Sequence, residues 1–135
     1  MTTTEELLDN FEMLGDWEER YRYIIDLGRQ LPPMEETDRT DTNRVEGCMS
    51  NVWLKGGFDD ASPPRLHLEA DSDAFIVKGI IALLREIYEG RTREEVEAVD
   101  VPALFNRIGL VEHLSPTRQN GLYAMNERIQ GLARG

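Results

Sequence analysis

Asn51-Val-Trp-Leu-Lys-Gly-Gly-Phe58, followed by Arg65-Leu-His-Leu-Glu-Ala70, is where the chain changes its hydrophobic period. Val52 and Leu54 alternate with Trp53 and Lys55, and Leu66 and Leu68 alternate with His67 and Glu69. A period of two belongs to strands with one buried face. Gly56-Gly57 and Ser62-Pro63-Pro64 supply turn chemistry between and beside them. Val45 to Cys48 reads as a further short strand just upstream. Three strands this close in sequence are expected to pair antiparallel through short turns.

Working outward, both flanks return to a helical period. Residues 2–14 read as a helix with Leu7, Leu8, Phe11 and Leu14 on one face, and Thr2 and Thr3 each precede a Glu (Glu5, Glu6) by three residues, a capping-box pattern. A second helix is expected from Asp16 to about Gln30, striped by Trp17, Tyr21, Ile24, Ile25 and Gly28 and stopped by Pro32-Pro33. The polar residues 34–44 read as a loop. Downstream, Asp71-Ser72-Asp73 reads as an N-cap for a helix carrying Ile76, Ile80, Leu83, Leu84 and Ile87, with Gly90 as its stop. Thr92-x-x-Glu95 opens a short helix, and Val101 to Ile108 forms another. Ser115-Pro116 caps a last helix with Leu122, Met125, Ile129 and Leu132 on its stripe. The expectation is one α+β domain over residues 1–135, a small antiparallel sheet of about three strands packed by N-terminal and C-terminal helices.

Composition narrows the function. The net charge is −11, from 26 acidic and 15 basic residues, and no Lys/Arg run offsets it locally. Phosphate backbones demand a concentrated positive patch, so nucleic acid is not an expected partner. No stretch approaches the ~20 apolar residues of a membrane span. The N-terminus lacks the basic and apolar regions of a signal peptide, so a cytoplasmic location is expected and no membrane partner. One cysteine cannot form an internal disulfide or assemble a thiolate metal site with other cysteines. His67 and His113 show no ligand spacing, so neither a metal nor a cofactor is expected.

That cysteine, Cys48, is the candidate reactive group. Gly47 beside it removes a side chain and allows close approach, and Ser50 and Asn51 are turn formers. Cys48 would then sit on a loop tip braced by strands. The competing reading is a small buried hydrophobe, since free cysteine is among the most buried residue types. A thiol with the ordinary pKa of about 8.5 is only slightly ionised at neutral pH, and a nearby cation raises the thiolate fraction. Arg118 is a candidate for that help. It falls in line with the stripe of the last helix, in a first turn where a cation opposes the helix dipole. The alternative is a solvated arginine whose stem packs on the core edge. Asp73 reads as a cap, and His67 as a solvent-facing strand residue.

Four segments together resemble the SufE family, with its CsdE relatives: Tyr23-Ile-Ile-Asp-Leu-Gly-Arg-Gln-Leu-Pro32, Asn43-Arg-Val-Glu-Gly-Cys-Met-Ser-Asn-Val-Trp-Leu54, Ser72-Asp-Ala-Phe-Ile-Val-Lys-Gly79 and Leu114-Ser-Pro-Thr-Arg-Gln-Asn-Gly-Leu122. They occur in the family's order and span roughly residues 5 to 132. The resemblance implies a sulfur acceptor that takes persulfide sulfur from a SufS-like, pyridoxal-phosphate-dependent cysteine desulfurase, stimulates it, and passes sulfur to an iron–sulfur scaffold. The family's acceptor cysteine maps onto Cys48, with Gly47, Ser50, Asp73 and Arg118 as supporting or partner-binding residues. Members often carry Gln where this chain has Met49. The implied fold is similar to the IscU scaffolds, whose three ligand cysteines this chain lacks. Two other functions compete: a cysteine-nucleophile hydrolase, with His113 the better base, and a non-catalytic acidic adaptor with a structural Cys48.

Overall fold

The structure is a computed structural model that describes residues 4–47 and 51–134. Helices α1 (Thr4–Met13) and α2 (Trp17–Arg29) lead, strands β1 (Val52–Phe58) and β2 (Leu66–Ser72) follow, and α3 (Phe75–Tyr88), α4 (Arg93–Ala98), α5 (Val101–Arg107) and α6 (Pro116–Arg134) complete the chain. The α+β reading holds. Thr2 and Thr3 of the expected capping box lie outside the described residues.

The sheet differs from expectation. Among the described residues it has two strands, paired antiparallel from Val52↔Ser72 to Phe58↔Leu66. The expected strand Val45–Cys48 is reduced, within its described part, to one flank of a hairpin. Arg44 makes a single antiparallel bridge to Trp53. The Val45 N–H donates to the Val52 carbonyl at 2.8 Å, and the Leu54 N–H to the Asn43 carbonyl at 2.7 Å. Two residues on, Gly47 takes φ +93°, a left-handed turn that ends any strand.

Alternation works as read: Leu66, Leu68 and Ala70 of β2 are buried while His67 and Glu69 face solvent. The buried face lies against α3, whose Ile80, Ile81, Leu83, Leu84 and Ile87 are nearly inaccessible. Leu122, Met125 and Ile129 of α6 close the same core, as their spacing predicts. Each such side chain, fully buried, is worth about 1.5–3 kcal/mol. One buried polar group joins the layers. Tyr88 of α3 donates to Asn126 at 2.5 Å and accepts from Gln130 at 3.0 Å, and Gln130 also reaches the Val96 carbonyl on α4.

Helices α2 and α3 meet backbone to backbone. A Cβ on Gly28 would lie 2.6 Å from the Gly79 nitrogen, and one on Gly79 would lie 2.3 Å from the Ile24 carbonyl oxygen. No rotamer relieves a clash with main chain, so both positions demand glycine. Caps elsewhere follow their sequence signals. Asp16 accepts from the Glu19 N–H, Thr92 and Glu95 form a reciprocal box, and Ser115 accepts from the Arg118 N–H.

His67, exposed as expected, is gripped by two carboxylates. Its Nε2 lies 2.7 Å from Asp59, at the β1 end, and its Nδ1 2.6 Å from Glu89, after α3. Both contacts are hydrogen bonds only when both ring nitrogens carry protons. The bond to Asp59, then that to Glu89, raises the His67 pKa above its ordinary value. Asp59 is lowered to about 2, first by the Arg65 N–H, then by His67 and the Ala61 N–H.

Gly79→Ala is expected to destabilise the fold by about 2–3 kcal/mol, the upper part of the range for overpacking; urea unfolding of the variant beside wild type measures it. His67 carries a pH dependence. Its folded pKa is raised, so its contribution is complete below the unfolded pKa of about 6.5 and is lost as pH rises through the folded value. Melting temperatures of wild type and His67→Gln should therefore converge as pH is raised from about 6 to about 9, with wild type higher at the acid end.

Candidate functional site

Residues 46–51 connect Val45 to Val52, the pair joined at 2.8 Å, and Cys48 lies within that connection. Cys48, Met49 and Ser50 are outside the described residues. What the structure gives is the mounting on either side.

The downstream end is held at Asn51. The Asn51 N–H donates to Asp73 Oδ1 at 3.2 Å and its side-chain amide to Asp73 Oδ2 at 2.9 Å. The Asn51 carbonyl accepts from Ser72 Oγ at 2.7 Å and from the Asp73 N–H at 3.4 Å. Four hydrogen bonds thus fix one residue to the β2–α3 junction. This corrects the reading of Asp73 as a helix cap. The N-cap position of α3 is Ala74, without a side-chain cap, and only Ser72 Oγ reaches its N–H, at 3.3 Å. The register explains the change. Val52 pairs with Ser72, so the next residue out on each side, Asn51 and Asp73, face one another. Two amide donors there outcompete a helix end.

Behind this latch sits Asp71, 2% exposed. Its carboxylate accepts from Arg39 at 2.6 Å and from the Ser72 N–H at 2.8 Å, and lies 3.5 Å from both Lys78 Nζ and the Met34 nitrogen. Burial works to raise its pKa. The Ser72 and Arg39 hydrogen bonds, with the Lys78 charge and the Met34 N–H, outweigh it and hold the carboxyl below its usual value. Arg39 also lies over the Trp53 ring, 5.6 Å from the centroid. The polar stretch 34–44 is thereby pinned to the sheet beside the connection.

The upstream end is held by α6. A Cβ on Gly47 would touch the Ala124 Cβ at 3.4 Å. Arg128 Nη1 donates to the Arg44 carbonyl at 3.1 Å and Nη2 to the Thr42 carbonyl at 2.6 Å. An open groove of about 540 Å³ runs between Val45–Glu46 and the Ala124, Glu127, Arg128 and Gly131 face of α6.

Of the residues singled out from sequence, Gly47 lies in the upstream part of the connection, against Ala124, and Asp73 bonds its downstream end at Asn51. Arg118 lies in the first turn of α6, exposed, with its N–H on Ser115 Oγ. It is six residues, about 9 Å along the axis, before Ala124. His113, the base of the hydrolase reading, is stacked on Trp17 at 3.7 Å with Nδ1 3.0 Å from the Gly109 carbonyl. Sequence reasoning missed Asn51 as an anchor, Ser72 and Arg128. Asn51 beside a strand start was a usable signal; Arg128 left none, because it is one more charge on a polar helix face.

Fold and mounting together define a small α+β protein that carries its only cysteine in a hairpin connection tied down at both ends. The chain belongs to the SufE family: the family model, described as SufE, Fe-S metabolism associated domain, matches residues 5–133. It is 45% identical over 136 residues to an uncharacterized SufE-like protein of Rhizobium meliloti, covering 100% of this chain and 97% of that one. A second uncharacterized SufE-like protein, from Rhizobium etli, is 44% identical over 99% of this chain and 91% of its own. The solution structure of a hypothetical protein from Thermus thermophilus superposes with a TM-score of 0.80 at 26% identity, over 97% of this chain and 93% of that one. Membership ties the chain to iron–sulfur metabolism. No helix among the described residues is long and apolar enough to cross a membrane.

Asp73→Ala removes two of the four bonds on Asn51, each worth about 0.5–1.5 kcal/mol. Amide exchange at Asn51 and Val52 should rise roughly tenfold or more, and alkylation of Cys48 should accelerate, while exchange in the middle of α3 stays at the wild-type rate. Mass-detected exchange and timed alkylation read both.

Proposed function

We propose that the protein is a cytoplasmic sulfur acceptor, one SufE-like domain that takes persulfide sulfur onto Cys48 from a SufS-like cysteine desulfurase, stimulates that enzyme and hands the sulfur to iron–sulfur cluster assembly. The observation that carries this reading is the double mounting of the connection that holds the chain's single cysteine, within a chain of the SufE family. The acidic surface, net charge −11, suits a basic patch on a partner.

The chemistry is thiol exchange. The Cys48 thiolate attacks the outer sulfur of the donor's persulfide. The donor S–S bond breaks, its electron pair leaves with the donor cysteine as thiolate, and a new S–S bond forms on Cys48. One sulfur atom moves with no net oxidation or reduction, and pyridoxal phosphate stays with the desulfurase. Because transfer is direct, Cys48 has to enter the partner's active site. The Asn51–Asp73 latch sets how readily it does so. The cost of release is modest, since surface hydrogen bonds are exchanged for bonds to water. Gly47, Ser50, Asp73 and Arg118 serve presentation or partner contact in this reading.

The decisive experiment mixes the protein with a SufS-like desulfurase and cysteine, then traps thiols for mass analysis. Wild type should gain one sulfur, about 32 mass units by the atomic mass, on the peptide bearing Cys48. Cys48→Ser should keep its melting temperature and lose both the label and the stimulation. Full stimulation by Cys48→Ser would refute the acceptor role.

A further inference from the structure

The strand-like flank that leads into Cys48 is tied on two opposite sides, and the two ties differ in kind. Towards β1, the Asn43 carbonyl and the Val45 N–H make main-chain bonds to Leu54 and Val52. The intervening carbonyls, those of Thr42 and Arg44, are both taken by one side chain, Arg128 of α6. Odd positions hold the sheet and even positions hold the helix. Arg128 is itself partly buried, and the α6 face it shares with Ala124 and Gly131 borders the groove against Val45 and Glu46.

We propose that Arg128 is a positioning residue for sulfur acceptance: its guanidinium fixes the flank Thr42–Gly47 against α6 and so holds the base from which the thiol of Cys48 is presented. This rests on Cys48 being the acceptor. The chemistry suits arginine. A planar guanidinium offers donors at fixed separation and spans two carbonyls at once, with its charge retained at any working pH. A lysine at the same place carries its donors on one atom and fits a single carbonyl better than two. Without the fork, two carbonyls return to water, and the flank keeps its main-chain bonds to β1 and the local bonds of Asn43 and Arg44 to Asp38, Thr40 and Asp41. The flank Thr42–Gly47 is then held less firmly against α6. Presentation becomes less frequent while the transfer step itself is unchanged.

Three variants test this in the full chain: Arg128→Ala, Arg128→Lys, and Arg134→Ala. Arg134 borders the same groove but pairs with Glu127, so its variant controls for the loss of a positive charge on this face. In Arg128→Ala, amide exchange at residues 43–47 should rise roughly tenfold, as for the loss of about two net hydrogen bonds. Exchange in the middle of α3 and in the Leu122–Ile129 part of α6 should not change. The concentration giving half-maximal desulfurase stimulation should rise several-fold with the plateau retained. Arg128→Lys should fall between, and Arg134→Ala should match wild type. Unchanged exchange at 43–47, an equal effect of Arg134→Ala, or faster exchange throughout α6 would each overturn the proposal. Exchange is read without the desulfurase, so failure of the acceptor reading, seen as stimulation by Cys48→Ser, is told apart from failure of the Arg128 clamp.

Discussion

The close approach of α2 and α3 through Gly28 and Gly79 is the constraint on which the rest of the structure depends. Main chain touches main chain there, with room for no side-chain carbon on either helix. The contact sets the height of α3 relative to α2. It thereby sets where α3 begins, since the helix is rigid over its 14 residues. The β2–α3 junction follows from that position, and Ser72 and Asp73 with it. A site residue that bonds to nothing on α2 is in this way placed by it.

From that junction the mounting of Cys48 is built out of ordinary interactions. Antiparallel pairing of Val52 with Ser72 brings Asn51 opposite Asp73. A buried carboxylate at Asp71 gathers Arg39, Lys78 and the Met34 N–H, and so fastens the long polar stretch that precedes the hairpin. Removing one partner of such a buried charge costs far more than the pair contributes, which makes Asp71 a fixed post. The latch at Asn51 is exposed, and its bonds exchange with water at little cost. The fastening is strong behind, at Asp71, and weak in front, at Asn51. Arg128 extends the firm part up the other flank.

Much of this was legible in the chain itself. The switch from helical spacing to alternation at Val52–Leu54 and Leu66–Leu68 marked the two strands, and the stripe Leu122–Met125–Ile129 marked the closing helix. Those signals are short-range and follow from the geometry of the elements. Thr92-x-x-Glu95 and Ser115-Pro116 capped helices as read, because a cap's partners lie within one turn. Asp73 was misread for a related reason: its local pattern is that of a cap, but a partner 22 residues away offered two donors. The expected third strand shrank, within its described part, to a hairpin flank because Gly47 turns left-handed, which does not show in the apolar pattern of Val45.

The sequence by itself determined the helices, the two paired strands, their order, the single thiol and the family. Those depend on spacing, on composition and on motifs, which are properties of a string. Only the tertiary structure decided that Asn51 and Asp73 face one another, that Arg128 reaches Thr42 and Arg44 from 84 and more residues away, and that His67 lies between Asp59 and Glu89. Each of these joins a polar side chain to a polar group distant in sequence, a side chain or, for Arg128, two main-chain carbonyls. A polar residue on an exposed face has no periodic signature to reveal its partner, because water satisfies it equally well until packing brings that partner within about 3 Å.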